Sequence, residues 1–289
     1  MFADRCPHRG APLSAGTVCG ASLQCAYHGW RFNSDGCATH VPSQPGSLIP
    51  SRARLDRPHA VVERYGLVWL APDVPITEVP AFPEWDAAGF DCVRSTFVRT
   101  SAGAAQLVDN FLDAAHFPFV HQATFGTEAA AEVVERGVRR SGWEIENTFD
   151  TWYRNRDDPL VASGLHDEVQ PQVLVKRGAV SLCVGLQLGF PVTGATIGIL
   201  FCCTPERDGV TRVYKLLARN DLGGDAERIA AFVEDEDRIL EEDLAILTRY
   251  RHNDVPVDLR AEVHTRADRL SVAWRQLLGE ALAEEGLKS

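Results

Sequence analysis

An α+β protein in two parts is the fold class this 289-residue sequence predicts: a small all-β domain, then an antiparallel sheet covered by helices. Three observations predict it. Residues 1–72 hold only short β-prone stretches between turn residues, with PSQPG at Pro42–Gly46 as a turn-rich connection and YGLVWL at Tyr65–Leu70 as a closing strand. Prolines 72, 75, 80 and 83 in APDVPITEVPAFPEW mark a linker that cannot be helical. Residues 73–289 alternate apolar and polar side chains in VSLCVGLQLGF and TRVYKLLAR, as antiparallel strands do. That sheet is expected to be covered by a long acidic helix and two C-terminal helices.

Two loops in the first domain carry its chemistry. CPHRG at Cys6–Gly10 and CAYHGW at Cys25–Trp30 give Cys-x-His and Cys-x-x-His, with sixteen residues between His8 and Cys25. Two thiolates and two imidazoles from two loops suit a [2Fe–2S] cluster in which His replaces Cys on one iron. Cys6 and Cys25 then hold one iron, His8 and His28 the other. Tetrahedral zinc also accepts two Cys and two His. The single residue between Cys6 and His8 is tight for two ligands on one metal, however, and placing them on different irons removes that difficulty. Pro7 stiffens the first loop, while Gly10 and Gly29 let backbone approach sulfur. Such a cluster relays single electrons, which need an acceptor elsewhere.

The second constellation is QLVDNFLDAAHFPFVH at Gln106–His121. Its alanines and leucines favour a helix that Pro118 breaks. Asp109, Asp113 and His116 fall at i, i+4 and i+7 on one helical face, and His121 follows the break so that its ring can turn back toward His116. The aromatic surroundings (Phe111, Phe117, Phe119) bury both imidazoles, and buried imidazoles need partners. Two His and one carboxylate on one face of an iron leave positions open for O₂ and substrate. The carboxylate has to come from elsewhere. Candidates cluster in FVEDEDRILEEDLAILTRY, read as an acidic helix with Ile239, Leu240, Leu244 and Leu247 as its buried stripe.

In these motifs the chain resembles the Rieske non-haem iron oxygenases. The extra loop cysteines of high-potential respiratory Rieske proteins are replaced here by Ala11 and Tyr27. DNFLDAAHFPFVH looks like the Asn-x-x-Asp-x-x-His-x4-His signature of the catalytic subunits. By that resemblance His116 and His121 bind mononuclear Fe(II), Asp113 bridges a Rieske histidine to an iron-bound one, and Asn110 sits close to the metal. Within the vanillate O-demethylase-like subfamily, the order of EDLAILTRYRHNDVPVDLRAEVHTRADRLSVAWRQLL makes Asp243 the third ligand, with Asp237 as runner-up. Thr248-Arg249-Tyr250 departs from the family's Glu-Ser-Gln. The resemblance implies a Rieske domain over 1–72 and a helix-grip catalytic domain over 73–289. It also implies a homotrimeric head-to-tail ring in which His28 of one chain meets Asp113 of the next. Because the family has several strands before the first cluster loop and only five residues precede Cys6, an N-terminally truncated Rieske domain is expected.

Composition bounds the function. At 45% hydrophobic and 24% charged residues the chain is that of an ordinary globular protein, without a membrane-length apolar run or a leader, so a cytoplasmic location is expected. A net charge of −11 without a basic stripe excludes nucleic acid as partner. No Gly-x-Gly-x-x-Gly fingerprint and no plant-type ferredoxin spacing occur, so electrons must come from a separate NAD(P)H-dependent reductase or ferredoxin. Cys202 and Cys203 in IGILFCC are expected in the core on opposite strand faces. The function expected is a terminal oxygenase component that hydroxylates or demethylates a small aromatic substrate, monooxygenation being favoured over dioxygenation. The alternatives are a Rieske electron carrier or a degenerate scaffold without catalysis.

Overall fold

The computed structural model describes residues 1–156, 158–284 and 286. The chain divides into two compact units, Met1–Val79 and Pro80–Ser289. The first unit holds a four-stranded antiparallel sheet, β1 (Thr17–Cys19), β2 (Ser22–Gln24), β3 (Arg31–Phe32) and β4 (Ala38–His40), in sequential order. A separate hairpin pairs β5 (Ala60–Arg64) with β6 (Leu67–Ala71) through a turn at Tyr65 and Gly66. Its core is small: Cys6, Leu13, Cys25, Phe32 and Leu55, so two of its buried residues are the cysteines of the predicted cluster. A core this thin would gain stability from a metal group bound only by the folded state.

The second unit opens with α1 (Pro83–Asp86), β7 (Asp91–Arg94), β8 (Val98–Thr100), α2 (Ala104–Leu112) and α3 (Phe117–Val120). Pro83, expected to exclude helix, instead begins α1, because proline at the first helical position has no N–H to lose. There follow β9 (Val134–Glu135), β10 (Arg139–Ser141), β11 (Glu144–Arg154), α4 (Pro159–Ala162), β12 (Val169–Ala179), β13 (Cys183–Phe190), β14 (Ala195–Arg207) and β15 (Val210–Arg219). They form a nine-stranded antiparallel sheet in the order β10-β11-β12-β13-β14-β15-β7, with β9 beside β11 and β8 beside β15. Cys202 and Cys203 lie buried in β14 as expected.

Two helices complete the unit, α5 (Ala226–Leu247) and α6 (Arg269–Glu284). Asp225 caps α5 by accepting from the Glu227 and Arg228 N–H groups. Only α6 follows α5 as an α-helix among the described residues, where two C-terminal helices were expected. Residues Leu259–Ala261 and Arg266–Asp268 instead form single 3-10 turns, with Pro256 ahead of them. The buried stripe of α5 also differs from the expected one. It is Phe232, Glu236, Leu240, Asp243 and Leu247, so two of its five members are acids. Apolar counting assigned those places to Ile239 and Leu244, which are only partly buried. Among the described residues no helix is long and apolar enough to cross a membrane.

Candidate metal centres

The two cluster loops are built alike. Cys6 N–H donates to Ala11 O and Gly10 N–H returns to Cys6 O; Cys25 N–H donates to Trp30 O and Gly29 N–H returns to Cys25 O. Each turn closes on a glycine in the left-handed region, Gly10 at φ 74° and Gly29 at φ 68°, where a side chain would be strained. The sulfurs are buried at 2% and 1% exposure, whereas His8 is half-buried and His28 exposed. The two imidazoles meet edge-on with centroids 4.6 Å apart, and Trp30 stacks on His8 at 4.6 Å. Burial first, and the neighbouring Cys25 thiol second, push the Cys6 thiol up, and desolvation lowers His8. Alone, these shifts oppose charge; a bound cation reverses them. His8 Nδ1 is buried without a hydrogen-bond partner among the described residues. Paired buried sulfurs and an orphaned imidazole nitrogen fit a cluster that takes two S and two N.

In the second unit, α2 ends at Leu112, four residues short of the His116 that the helical-face argument requires. Asp113 is its C-cap in extended conformation (φ −76°, ψ 144°), and its carboxylate accepts from the Ala115 and His116 N–H groups at 3.0 Å each. This side-chain turn, rather than an i, i+4, i+7 face, delivers His116. Asp109 belongs to no metal site: Arg275 of α6 grips its carboxylate through two hydrogen bonds of 2.9 and 2.7 Å. One turn of helix with Pro118 inside α3 then carries the chain to His121. Gly126 N–H donates to His121 O at 2.7 Å, and a Cβ at Gly126 would stand 2.5 Å from Phe117 O, so only glycine fits that return.

His116, His121 and Asp243 converge. Their nearest ligand atoms all lie within 4.8 Å of one another, with Asp243 Oδ1 3.5 Å from His116 Nε2 and 3.3 Å from His121 Nε2. Each ring is held from behind: His116 Nδ1–H donates to Asp113 Oδ2 (2.7 Å) and His121 Nδ1–H donates to Glu242 Oε2 (2.8 Å), which Thr124 Oγ1 also reaches. Since carboxylates only accept, both Nε2 lone pairs are left facing Asp243. Beyond those ring nitrogens Asp243 Oδ1 has no well-formed hydrogen bond among the described residues, nor has the buried Asn110 Nδ2. Two nitrogens and a carboxylate oxygen around an apolar space suit ferrous iron with open coordination positions. Asp237 sits elsewhere, paired with Lys215 Nζ at 2.7 Å and accepting from Ser95.

Charges around this point are mutually dependent. Burial opposes the ionised Asp113, but the His116 ring and the Lys176 ammonium hold its carboxyl to about 2. Burial likewise opposes ionised Asp243, and His121, His116 and Asn110 outweigh it, keeping that carboxyl low. Burial lowers His121, yet Asp243 and Glu242 raise it on balance. Glu242 and Lys176 were missed in the sequence. Glu242 had one available signal, its place beside Asp243 in an acidic run. Lys176 is 1% exposed; its Nζ donates to Phe111 O at 3.0 Å and to Asp113 O, and sits 4.6 Å above the Phe117 ring. It caps the C-terminal end of α2, where carbonyls lack helical partners. Lys176→Met is expected to strand those two carbonyls and lower unfolding stability by about 2 kcal/mol. Denaturant titration checks this, and an unchanged midpoint contradicts it.

Matches to known proteins cover both units. The Rieske [2Fe-2S] domain family matches residues 1–63, and the vanillate O-demethylase oxygenase C-terminal domain family matches residues 100–284. Methylxanthine N1-demethylase NdmA of Pseudomonas putida is 29% identical over 283 residues, spanning 96% of this chain and 75% of that protein. Chlorophyllide a oxygenase of Chlamydomonas reinhardtii is 37% identical over 73% of this chain and 30% of its own length. Among solved structures, NdmA of Pseudomonas putida CBB5 with caffeine superposes with a TM-score of 0.79 at 27% identity, over 98% of this chain and 79% of that one. Dicamba monooxygenase bound to 3,6 dichlorosalicylic acid reaches 0.83 at 21% identity over 99% and 87%, which speaks to fold alone.

Proposed function

The chain belongs to the Rieske non-haem iron oxygenases with a vanillate O-demethylase-type catalytic domain, and we propose that it is a terminal oxygenase component that monooxygenates a small ring compound. The observation that carries this reading is the convergence of His116 Nε2, His121 Nε2 and Asp243 Oδ1 in the wall of a cavity of about 80 Å³ otherwise lined mostly by aliphatic and aromatic side chains. In the proposed assignment residues 1–72 form the cluster domain, through Cys6, Cys25, His8 and His28, and residues 73–289 the catalytic domain.

When bound, the cluster would supply single electrons and the mononuclear Fe(II) would activate O₂. The protein's part is positional. Asp113 and Glu242 fix the tautomers of the two histidines, which orients both lone pairs before metal arrives. Leu186, Leu188, Ile199 and Phe201 keep the cavity dry and hold an apolar ring against the triad. Tyr153, Phe190 and Ile197 also wall an outer cleft of about 340 Å³, through which substrate would enter. Demethylation and hydroxylation are favoured over dioxygenation because relatives such as NdmA are N-demethylases by name.

The electrons are proposed to come from a separate reductase or ferredoxin, and the location to be cytoplasmic. Assembly is proposed as a homotrimer in which exposed His28 of one chain meets Asp113 of the next, a closed heterologous ring. Purified protein is expected to hold three irons and two labile sulfides per chain, and to convert an aromatic or N-methyl compound with incorporation of labelled O₂ when given a surrogate reductase. Two irons and two sulfides would identify an electron carrier instead; absence of both would identify a scaffold.

A further inference from the structure

Glu236 is a buried acid in a place where the proposed reaction has no use for one. It lies on α5 seven residues before Asp243, two turns along the same face, and like Asp243 it lines the apolar cavity. It is 8% exposed, and no hydrogen bond holds its carboxyl among the described residues. The nearby cations are committed elsewhere: Lys215 pairs with Asp237 at 2.7 Å, and Arg219 grips Asp221 through bonds of 2.6 and 3.1 Å. Burial, outweighing those two cations, pushes the Glu236 carboxyl up to about 7. Lys176, the one ammonium lining the cavity among the described residues, is engaged by two carbonyls and the Phe117 ring. A carboxyl group that lines an apolar cavity without a protein partner is left to water or to a ligand.

We propose that Glu236 is the specificity-determining residue of this cavity, and that it selects an uncharged ring carrying an N–H beside a carbonyl. A carboxyl group that keeps its proton offers one O–H donor next to one C=O acceptor, the complement of a lactam edge. The same residue rejects ring carboxylates, because the cavity offers such an anion no uncommitted cation among the described residues and places an acid against it. The inference rests on reading this cavity as the place where substrate meets His116, His121 and Asp243.

The test is calorimetric binding to the metal-loaded protein in mildly acidic buffer, with γ-methoxy-α-pyridone, p-methylanisole and p-anisate as probes. Wild type is expected to bind the pyridone at least roughly tenfold tighter than p-methylanisole, and p-anisate weakest. Glu236→Gln keeps a donor beside an acceptor, so it should retain the pyridone and gain roughly tenfold for p-anisate. Glu236→Leu, at wild-type iron and sulfide content, should lose the pyridone preference, the ratio of pyridone to p-methylanisole affinity falling at least roughly tenfold. A pyridone preference that survives in Glu236→Leu, or p-anisate bound as tightly as the pyridone by wild type, overturns the proposal. Turnover with a surrogate reductase is scored separately. Affinities in the expected order without any oxygenated product support the role of Glu236 and count against the oxygenase reading alone.

Discussion

Asp243→Ala is expected to purify with two irons and two sulfides per chain in place of three and two, and to lose oxygenation entirely. The reason is geometric. Asp243 supplies the one carboxylate oxygen that faces both His116 Nε2 and His121 Nε2, at 3.5 and 3.3 Å, and that oxygen has no other partner among the described residues. Two imidazoles alone leave the metal without the anionic ligand that completes a facial triad. Asp237→Ala is the informative companion. Asp237 is 39% exposed and holds the buried Lys215 ammonium, so its loss should cost about 2 kcal/mol of stability while leaving the third iron in place. Elemental analysis and denaturant titration of the two variants decide the matter. A third iron retained by Asp243→Ala, or lost from Asp237→Ala, would reassign the ligand.

The second large effect belongs to Asp113. Replacing it with alanine should leave cluster and mononuclear iron bound but reduce coupled turnover by roughly a hundredfold or more. The Ala115 and His116 N–H groups lose their acceptor, but Lys176 still holds the Asp113 and Phe111 carbonyls of the main chain, which keeps the turn that carries His116. The bond of 2.7 Å from His116 Nδ1–H disappears, and with it the proposed route from the exposed His28 of an adjoining chain. Single-turnover mixing of the reduced protein with O₂ separates the two roles. A relay predicts that cluster reoxidation slows in step with product formation, whereas a merely structural Asp113 predicts lost iron and unchanged cluster kinetics. Normal turnover in Asp113→Ala would remove the bridging role.

How much of this was legible depended on whether the deciding contacts were local. Cys6, His8, Cys25 and His28 could be proposed from sequence because each loop is a short, self-closing turn ending in Gly10 or Gly29. His116 and His121 are legible for the same reason, although the geometry behind them was misread: Asp113 ends α2 and turns the chain through its own carboxylate. Helical spacing then grouped Asp109 with the site, while Arg275, 166 residues away, had claimed it. The long helix was misread in the other direction. Hydrophobic counting expects apolar residues on the buried face of α5, and that face carries Glu236 and Asp243 because the sheet opposite it encloses a site and not only a core. Lys176 was invisible for a related reason. In β12 the inward positions include Gln170, Gln172, Leu174 and Lys176, three of them polar side chains that alternation assigns to solvent. Where sequence pattern and burial disagree, the residues of the candidate site collect.

The central claim is that His116, His121 and Asp243 form the oxygen-reactive centre fed by the cluster of Cys6, His8, Cys25 and His28. Electron paramagnetic resonance of the dithionite-reduced protein with nitric oxide tests both halves at once. Wild type should show the rhombic signal of a reduced Rieske cluster together with a high-spin ferrous–nitrosyl signal, and Asp243→Ala should keep the first and lose the second. A nitrosyl signal that persists in Asp243→Ala, or a wild-type protein with neither signal and zinc in both places, would contradict the account.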